Sequence, residues 1–372
     1  MTPPRACIDR ELPPDATLLA AQLSVRENPL NAPIELSVRE LMPGVQVSEL
    51  QIAALTGKLW KPGRVLRVRF LDGDPRIADR CIPLAKTWEK YANLKFEFGS
   101  DPNAEIRVSF KYRGSWSFVG TDCLAVPQDE PTVNFGWLDS DTPQDEYARV
   151  VVHEFGHTLA MIHEHQNPSA TIPWNKKAVY DYYQGAPNYW THEQVDINVF
   201  TRYSADLTKF SEYDPASIML YPIPAQFLTD PSFEVGWNKV PSETDKKYAG
   251  ILYPFKVKPV PTLPTNGQHV NSAIGEMGSI DTFYFDVERA GTYRIETFGR
   301  IDTVISLFGP DTETRMVAKD DDGGRGLSSR ILASLAAGRY TLRVRHFSAR
   351  GTGAYEVGVT REPDRPAPLR LG

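Results

Sequence analysis

Hydrophobic and polar residues alternate along Val65-Leu66-Arg67-Val68-Arg69-Phe70, the two-residue period of a strand, and the run stops at the turn sequence Asp72-Gly73-Asp74. The period then lengthens. Ile77, Ala78, Cys81, Leu84, Ala85, Trp88 and Tyr91 recur at helical spacing. Alternation returns at residues 94–98 and 106–110, and Thr132-Val133-Asn134-Phe135 adds a further strand signal. A second helix is predicted around the apolar run Val150-Val151-Val152. Strand, helix, three strands and helix is the order expected of a mixed sheet backed by helices.

The pattern also divides the chain. Before residue 59 it is weakly periodic and broken by Pro13-Pro14, Pro29, Pro33 and Pro43-Gly44, which predicts an N-terminal extension or prosegment over 1–58. Residues 59–254 carry the mixed pattern. Pro254, Pro259, Pro261 and Pro264 then rule out helix or central strand and predict a semi-rigid linker over 255–265. From 266 to 361, short alternating runs at 282–287, 292–296, 304–308, 340–344 and 355–359 are separated by turn residues, the signature of a small all-β sandwich. The Pro-rich tail 362–372 is expected to be disordered. The fold class is therefore α+β, followed by a β-sandwich.

Composition narrows the function classes. With 372 residues, 41% hydrophobic and 24% charged, the chain has length for two cores. A formal net charge of -6 with no basic stripe argues against nucleic acid as partner. No run approaches the roughly 18 consecutive apolar residues of a membrane span. The opening Met1-Thr2-Pro3-Pro4-Arg5 lacks the apolar core of a signal peptide. Cys7, Cys81 and Cys123 are too few for a disulfide scaffold and leave either one bridge with a free thiol or three thiols. Oligomeric state is not legible.

Candidate chemistry is concentrated in one stretch. Four of the seven histidines lie between residues 153 and 165. At about 3.6 residues per turn, His153 and His157 share a helix face and can direct ring nitrogens at one ion. Glu154 sits beside that face, close enough to touch a metal-bound water. His163 is too far along a continuous helix to join them, so the helix must end near Ala160 and the chain double back. Three imidazoles leave a zinc ion an open position, the arrangement of a catalytic site. A bare His-Glu-x-x-His pattern also occurs in helices whose histidines do nothing; the third histidine at its spacing raises the specificity.

This stretch, His153-Glu154-Phe155-Gly156-His157 through His163-Glu164, resembles the metzincin zinc peptidases, and within them the astacin family. Ser217-Ile218-Met219-Leu220-Tyr221 looks like the family's methionine turn. The resemblance covers roughly Trp60 to Tyr253 and implies a metzincin-type catalytic domain that hydrolyses peptide bonds in protein or peptide substrates. It implies Zn2+ held by His153, His157 and His163, Glu154 as general base, Met219 as an apolar floor, and Tyr221 as the residue that stabilises the oxyanion. Two positions depart from the family. Ala160 replaces a glycine, at a cost of about 1 kcal/mol in a left-handed turn, and Leu220 stands where histidine is usual.

Several lesser expectations accompany this one. The strand at Thr132–Phe135 would be the sheet edge to which an extended substrate pairs. Glu164, tied to a buried N-terminal amine in mature astacins, is expected here as a surface ion pair, and His165 as a polar loop residue. Cys7 is a candidate thiolate for the metal if residues 1–58 cover the cleft. Asp72 and Asp74 are candidates for a similar aspartate switch, although a strand end and turn explains them better. Residues 266–361 resemble the bacterial pre-peptidase C-terminal domain, on Gly278-Ser279-Ile280-Asp281-Thr282-Phe283, Lys319-Asp320-Asp321-Asp322-Gly323-Gly324 and Ala337-Gly338-Arg339-Tyr340. There, Asp320, Asp321 and Asp322 with Asp281 or Asp302 are candidates for Ca2+, against the plainer reading of a solvated acidic turn. The resemblance to secreted peptidases implies export. The competing reading is a binding protein that keeps a metal without turnover and recognises a surface or matrix through its sandwich.

Overall fold

The computed structural model describes residues 7, 10, 12–31, 57–167, 169–186, 189–202, 213–255, 259–275, 278–348 and 350–363. The chain divides into two compact units at residues 257 and 258, inside the stretch expected to be a linker.

The first unit begins with a helix that the sequence pattern did not predict, α1 (Pro14–Glu27). Its buried residues are Ala20 and Ser24, too small an apolar face to show as periodicity. Polar groups dock it instead. Ser24 Oγ donates to the Gly57 carbonyl at 2.6 Å, Thr121 Oγ1 donates to Ser24 Oγ at 2.8 Å, and Asn31 Nδ2 donates to the Leu59 carbonyl at 2.7 Å.

The sheet follows. Strand β1 (Val65–Phe70) leads to α2 (Pro75–Ala85), whose start is fixed by Asp74 accepting from the Arg76 amide and by Pro75 in the first turn. Strands β2 (Lys95–Phe98), β3 (Ile106–Ser109), β4 (Ser115–Ser117) and β5 (Val133–Phe135) complete it in the order β2-β1-β3-β5-β4. All pairings are parallel except β4 with β5, which is antiparallel, with Trp116 opposite Asn134. This corrects the expected edge. The strand at Thr132–Phe135 is interior, and β4, three residues with two serines, is the rim.

Helix α3 (Gln144–Thr158) lies under the sheet and is buried from Arg149 to Thr158 without interruption. It packs in a core with Trp88, Phe96, Ile106, Val133 and Phe135. Each fully buried side chain of this size contributes about 1.5–3 kcal/mol. Trp88 Nε1 donates to the Val152 carbonyl at 2.8 Å, which fixes the helix lengthwise. Helices α4 (Lys176–Gln184), α5 (His192–Val195) and α6 (Glu243–Leu252) follow. A second core, with Ile172, Val179, Tyr183, Trp190, Leu220 and Phe227, forms on the far side of the histidines.

The second unit is a sandwich of strands β6 (Asn266–Ile274), β7 (Ile280–Val287), β8 (Gly291–Gly299), β9 (Thr303–Phe308), β10 (Met316–Asp320), β11 (Arg330–Leu335), β12 (Gly338–His346) and β13 (Gly353–Arg361). Two antiparallel four-stranded sheets, β10-β9-β12-β7 and β11-β8-β13-β6, enclose a core of Phe283, Phe285, Ile295, Leu307, Leu342 and Val357. The expected linker is partly absorbed: Leu263 is buried in this core, and its amide donates to the Tyr284 carbonyl at 2.7 Å. Residues 364–372 of the expected tail lie outside the described residues. Among the described residues no helix is long and apolar enough to cross a membrane.

Candidate metal centre

Helix α3 carries His153 and His157 on one face and ends at Thr158. Ala160 then takes φ +62°, the left-handed turn required for the chain to double back. The returning chain places His163 against the other two. The ligating atoms of His153, His157 and His163 all lie within 4.8 Å of one another, and all three residues are buried.

Backbone carbonyls fix the ring orientations. His153 Nδ1 donates to the Ile218 carbonyl at 2.8 Å, and His157 Nδ1 donates to the Met161 carbonyl at 2.8 Å. Both Nε2 atoms are therefore lone pairs, and they stand 3.2 and 3.0 Å from His163 Nε2. One His163 proton cannot satisfy both. Three nitrogens about 2.0 Å from a tetrahedral ion would be separated by about 3.3 Å, so the spacing suits one cation better than a hydrogen bond. Burial, then the neighbouring imidazoles, holds His153 and His163 well below the usual histidine range, leaving both neutral as ligands must be. The donor set fits zinc.

The surroundings are set by the segment after the second core. Ser217 Oγ and the Ile218 amide donate to the Asp245 carboxylate at 2.7 and 2.8 Å, which holds that turn to the start of α6. Met219 lies beneath the histidines, 2% exposed, its sulfur packed on Gly156 so closely that a Cβ there would sit 2.4 Å from it. The Tyr221 hydroxyl touches His163 Nε2 and donates to the Cys7 carbonyl at 2.9 Å. Cys7 itself is buried, and its sulfur forms a second close group with His153 and Glu154. Burial, then the charge of Glu154, pushes its thiol upward; a bound cation would act in the opposite sense.

Several expectations change. Glu164 is no surface ion pair: its carboxylate accepts from the Asp214 amide and from Asn167 Nδ2, each at 2.9 Å, and burial raises its pKa to about 7. His165 is buried, its Nε2 donating to the Asn198 carbonyl at 2.8 Å. Asp72 accepts from Ser109 Oγ and the Phe110 amide, and Asp74 caps α2, so neither is placed as a switch. The three cysteines are free thiols. In the sandwich, Asp320 accepts from the amides of Gly323 and Arg330, and Asp281 from Ser272 Oγ and the Tyr355 hydroxyl. Sequence reasoning missed Asp245, although Ser242-Glu243-Thr244-Asp245 reads as a helix cap. It also missed an apolar pocket beyond Tyr221, lined by His165, Trp174, Tyr183, Val199 and Phe227, which no local pattern could reveal.

No family model and no curated protein matches the chain. Among solved structures, myroilysin is 44% identical over 54% of this chain and 97% of its own, with a TM-score of 0.52. A medaka (Oryzias latipes) hatching-enzyme zinc-protease, high choriolytic enzyme 1, matches at 16% identity over 53% of this chain and 94% of its own, TM-score 0.38. The pre-peptidase C-terminal domain of a Bacillus anthracis collagenase matches at 18% identity over 28% of this chain and 99% of its own, TM-score 0.24. The chain belongs to the astacin-like metzincin metalloproteases, with myroilysin as a relative.

Proposed function

We propose that this protein is a zinc-dependent endopeptidase in which His153, His157 and His163 hold the metal and Glu154 is the general base. The observation that carries the reading is the convergence of three Nε2 atoms, two of them oriented by backbone carbonyls, beside the buried carboxylate of Glu154. Zinc, when bound there, lowers the pKa of water to about 7 and polarises a carbonyl. Glu154 takes the proton of the attacking water and delivers it to the leaving amine. The Tyr221 hydroxyl, once released from the Cys7 carbonyl, donates to the developing oxyanion. An extended substrate pairs its backbone along the edge strand β4.

The N-terminal segment belongs to the same reading as a prosegment. Cys7 lies among the groups that would meet the scissile bond, and α1 is tied down by hydrogen bonds rather than by a core, so the segment can be released. Export is proposed with it, on the resemblance of the second unit to domains appended to secreted proteases. Calcium at Asp302, Asp321 and Asp322 is a separate proposal; burial, then the charges of Asp322 and Asp321, raises the Asp302 carboxyl, and calorimetry of the whole chain with calcium tests it. The peptidase reading is tested by incubating the protein with an unfolded polypeptide. Cleavage that a zinc chelator abolishes and added zinc restores supports it; a stoichiometric metal with no cleavage, after release of the N-terminal segment, would leave a binding protein.

A further inference from the structure

The N-terminal segment places a second side chain on the cleft, one with no part in the chemistry above. Arg10 lies with its guanidinium carbon 4.3 Å from the centroid of the Trp116 ring. Among the described residues this ring, and no carboxylate, is what meets Arg10. Trp116 is the middle residue of β4, the rim to which substrate would pair. Its ring is flanked by Tyr112 at 6.2 Å and Phe118 at 6.1 Å. The indole N–H is buried and has no hydrogen-bond partner among the described residues, although buried indoles ordinarily find one. A donor left over on the rim is available to a peptide carbonyl that arrives with a ligand.

The spacing relates this ring to the chemistry. The Cys7 sulfur lies within 4.8 Å of ligand atoms of His153 and Glu154, the groups that would meet the scissile bond in the proposed mechanism. Arg10 is three residues further on, a reach of about 10 Å in extended chain. Cys7 thus brings a thiol to the metal-ligating histidines and Arg10 a cation to Trp116. A guanidinium over an indole face is a favourable cation–π arrangement, and tryptophan is the best of the aromatic partners for it.

We propose that Trp116, flanked by Tyr112 and Phe118, is a subsite for a cationic side chain of the substrate, about three residues from the scissile bond, and that Arg10 is its occupant in the latent chain. The preferred substrates are then polypeptides with Lys or Arg at that position. This rests on the peptidase reading and deepens it.

The test uses the full chain carrying Cys7→Ser and Arg10→Gln, which removes the thiol and the guanidinium of the segment, and matched peptides with arginine or its neutral isostere citrulline scanned along the sequence. At one position arginine is expected to give a kcat/KM about fivefold above citrulline, within the range of a partly exposed cation–π contact. Trp116→Leu should erase that ratio, bringing the arginine and citrulline peptides to equal kcat/KM whatever its effect on both, and Trp116→Tyr should keep part of it. Equal values for the two peptides at every position, or a preference that survives Trp116→Leu, would overturn the subsite. Fluorescence anisotropy of the same peptides on the Glu154→Gln form of that chain separates the two readings. Charge-dependent binding that is lost with Trp116, found alongside no zinc-dependent turnover, keeps the subsite and rejects the peptidase.

Discussion

Ala160 and Glu154 show how much rests on single positions. Ala160 holds φ +62°, where a side chain costs about 1 kcal/mol over glycine. The strain is accommodated opposite, because Gly120, itself at φ +52°, lacks the Cβ that would meet the Ala160 methyl at 2.8 Å. Ala160→Gly should therefore raise the thermal midpoint of the first unit by an amount equivalent to about 1 kcal/mol; a lower midpoint would mean that the methyl's packing outweighs its strain. Glu154 is fully buried next to His153 and ligates nothing in the proposed mechanism. Glu154→Gln keeps the shape and removes the base, so metal content should be unchanged while kcat falls by at least about 10²-fold. Retained turnover in that variant would remove Glu154 from its role.

At the scale of elements, α3 and the turn carrying Met219 form one device. Gly156 is where they touch, with the Met219 sulfur filling the space a side chain would need and Trp88 3.3 Å from the same point. Met219 is too buried to swing aside. Gly156→Ala should thus destabilise the first unit by about 1–3 kcal/mol, seen as a lower midpoint in denaturant; an unchanged midpoint would contradict this packing. The apolar run of α3, its two histidines and His163 beyond the turn made this region readable in sequence. Strands β1, β2, β3 and β5 were readable for the same reason, since burial on a sheet face imposes alternation. The elements that stayed hidden lack that imprint. Strand β4 is Ser115-Trp116-Ser117, too short to show a period, and its place on the rim comes from antiparallel pairing with β5. Helix α1 docks through Ser24 and the following Asn31 rather than an apolar stripe. In the sandwich, β6 is an edge strand of mostly polar residues, and on β11 the 64% exposed Leu332 interrupts the alternation. The approach of Cys7 to Glu154, across most of the first unit's sequence, had no local signal beyond the presence of a thiol.

For the whole molecule, the cores are separate: the catalytic unit folds around Trp88, Phe96 and Phe155, and the sandwich around Phe285, Leu307 and Leu342. A metal bound only to the folded first unit stabilises that unit alone. Differential scanning calorimetry should therefore show two transitions, with a zinc chelator lowering one and leaving the other in place. A single transition, or equal displacement of both, would show that the units unfold together. Cys7, Arg10 and α1 all make their contacts within the first unit, so the proposed latency would belong to that unit alone.

The central claim is that three imidazoles bind one zinc ion. Zinc K-edge X-ray absorption of the purified full chain, compared with a His163→Ala variant, tests it most directly. The account predicts one zinc per chain with three imidazole nitrogens at about 2.0 Å, and loss of the ion from the variant. A protein that holds no zinc, or one whose zinc shell is unchanged when His163 is removed, would contradict it.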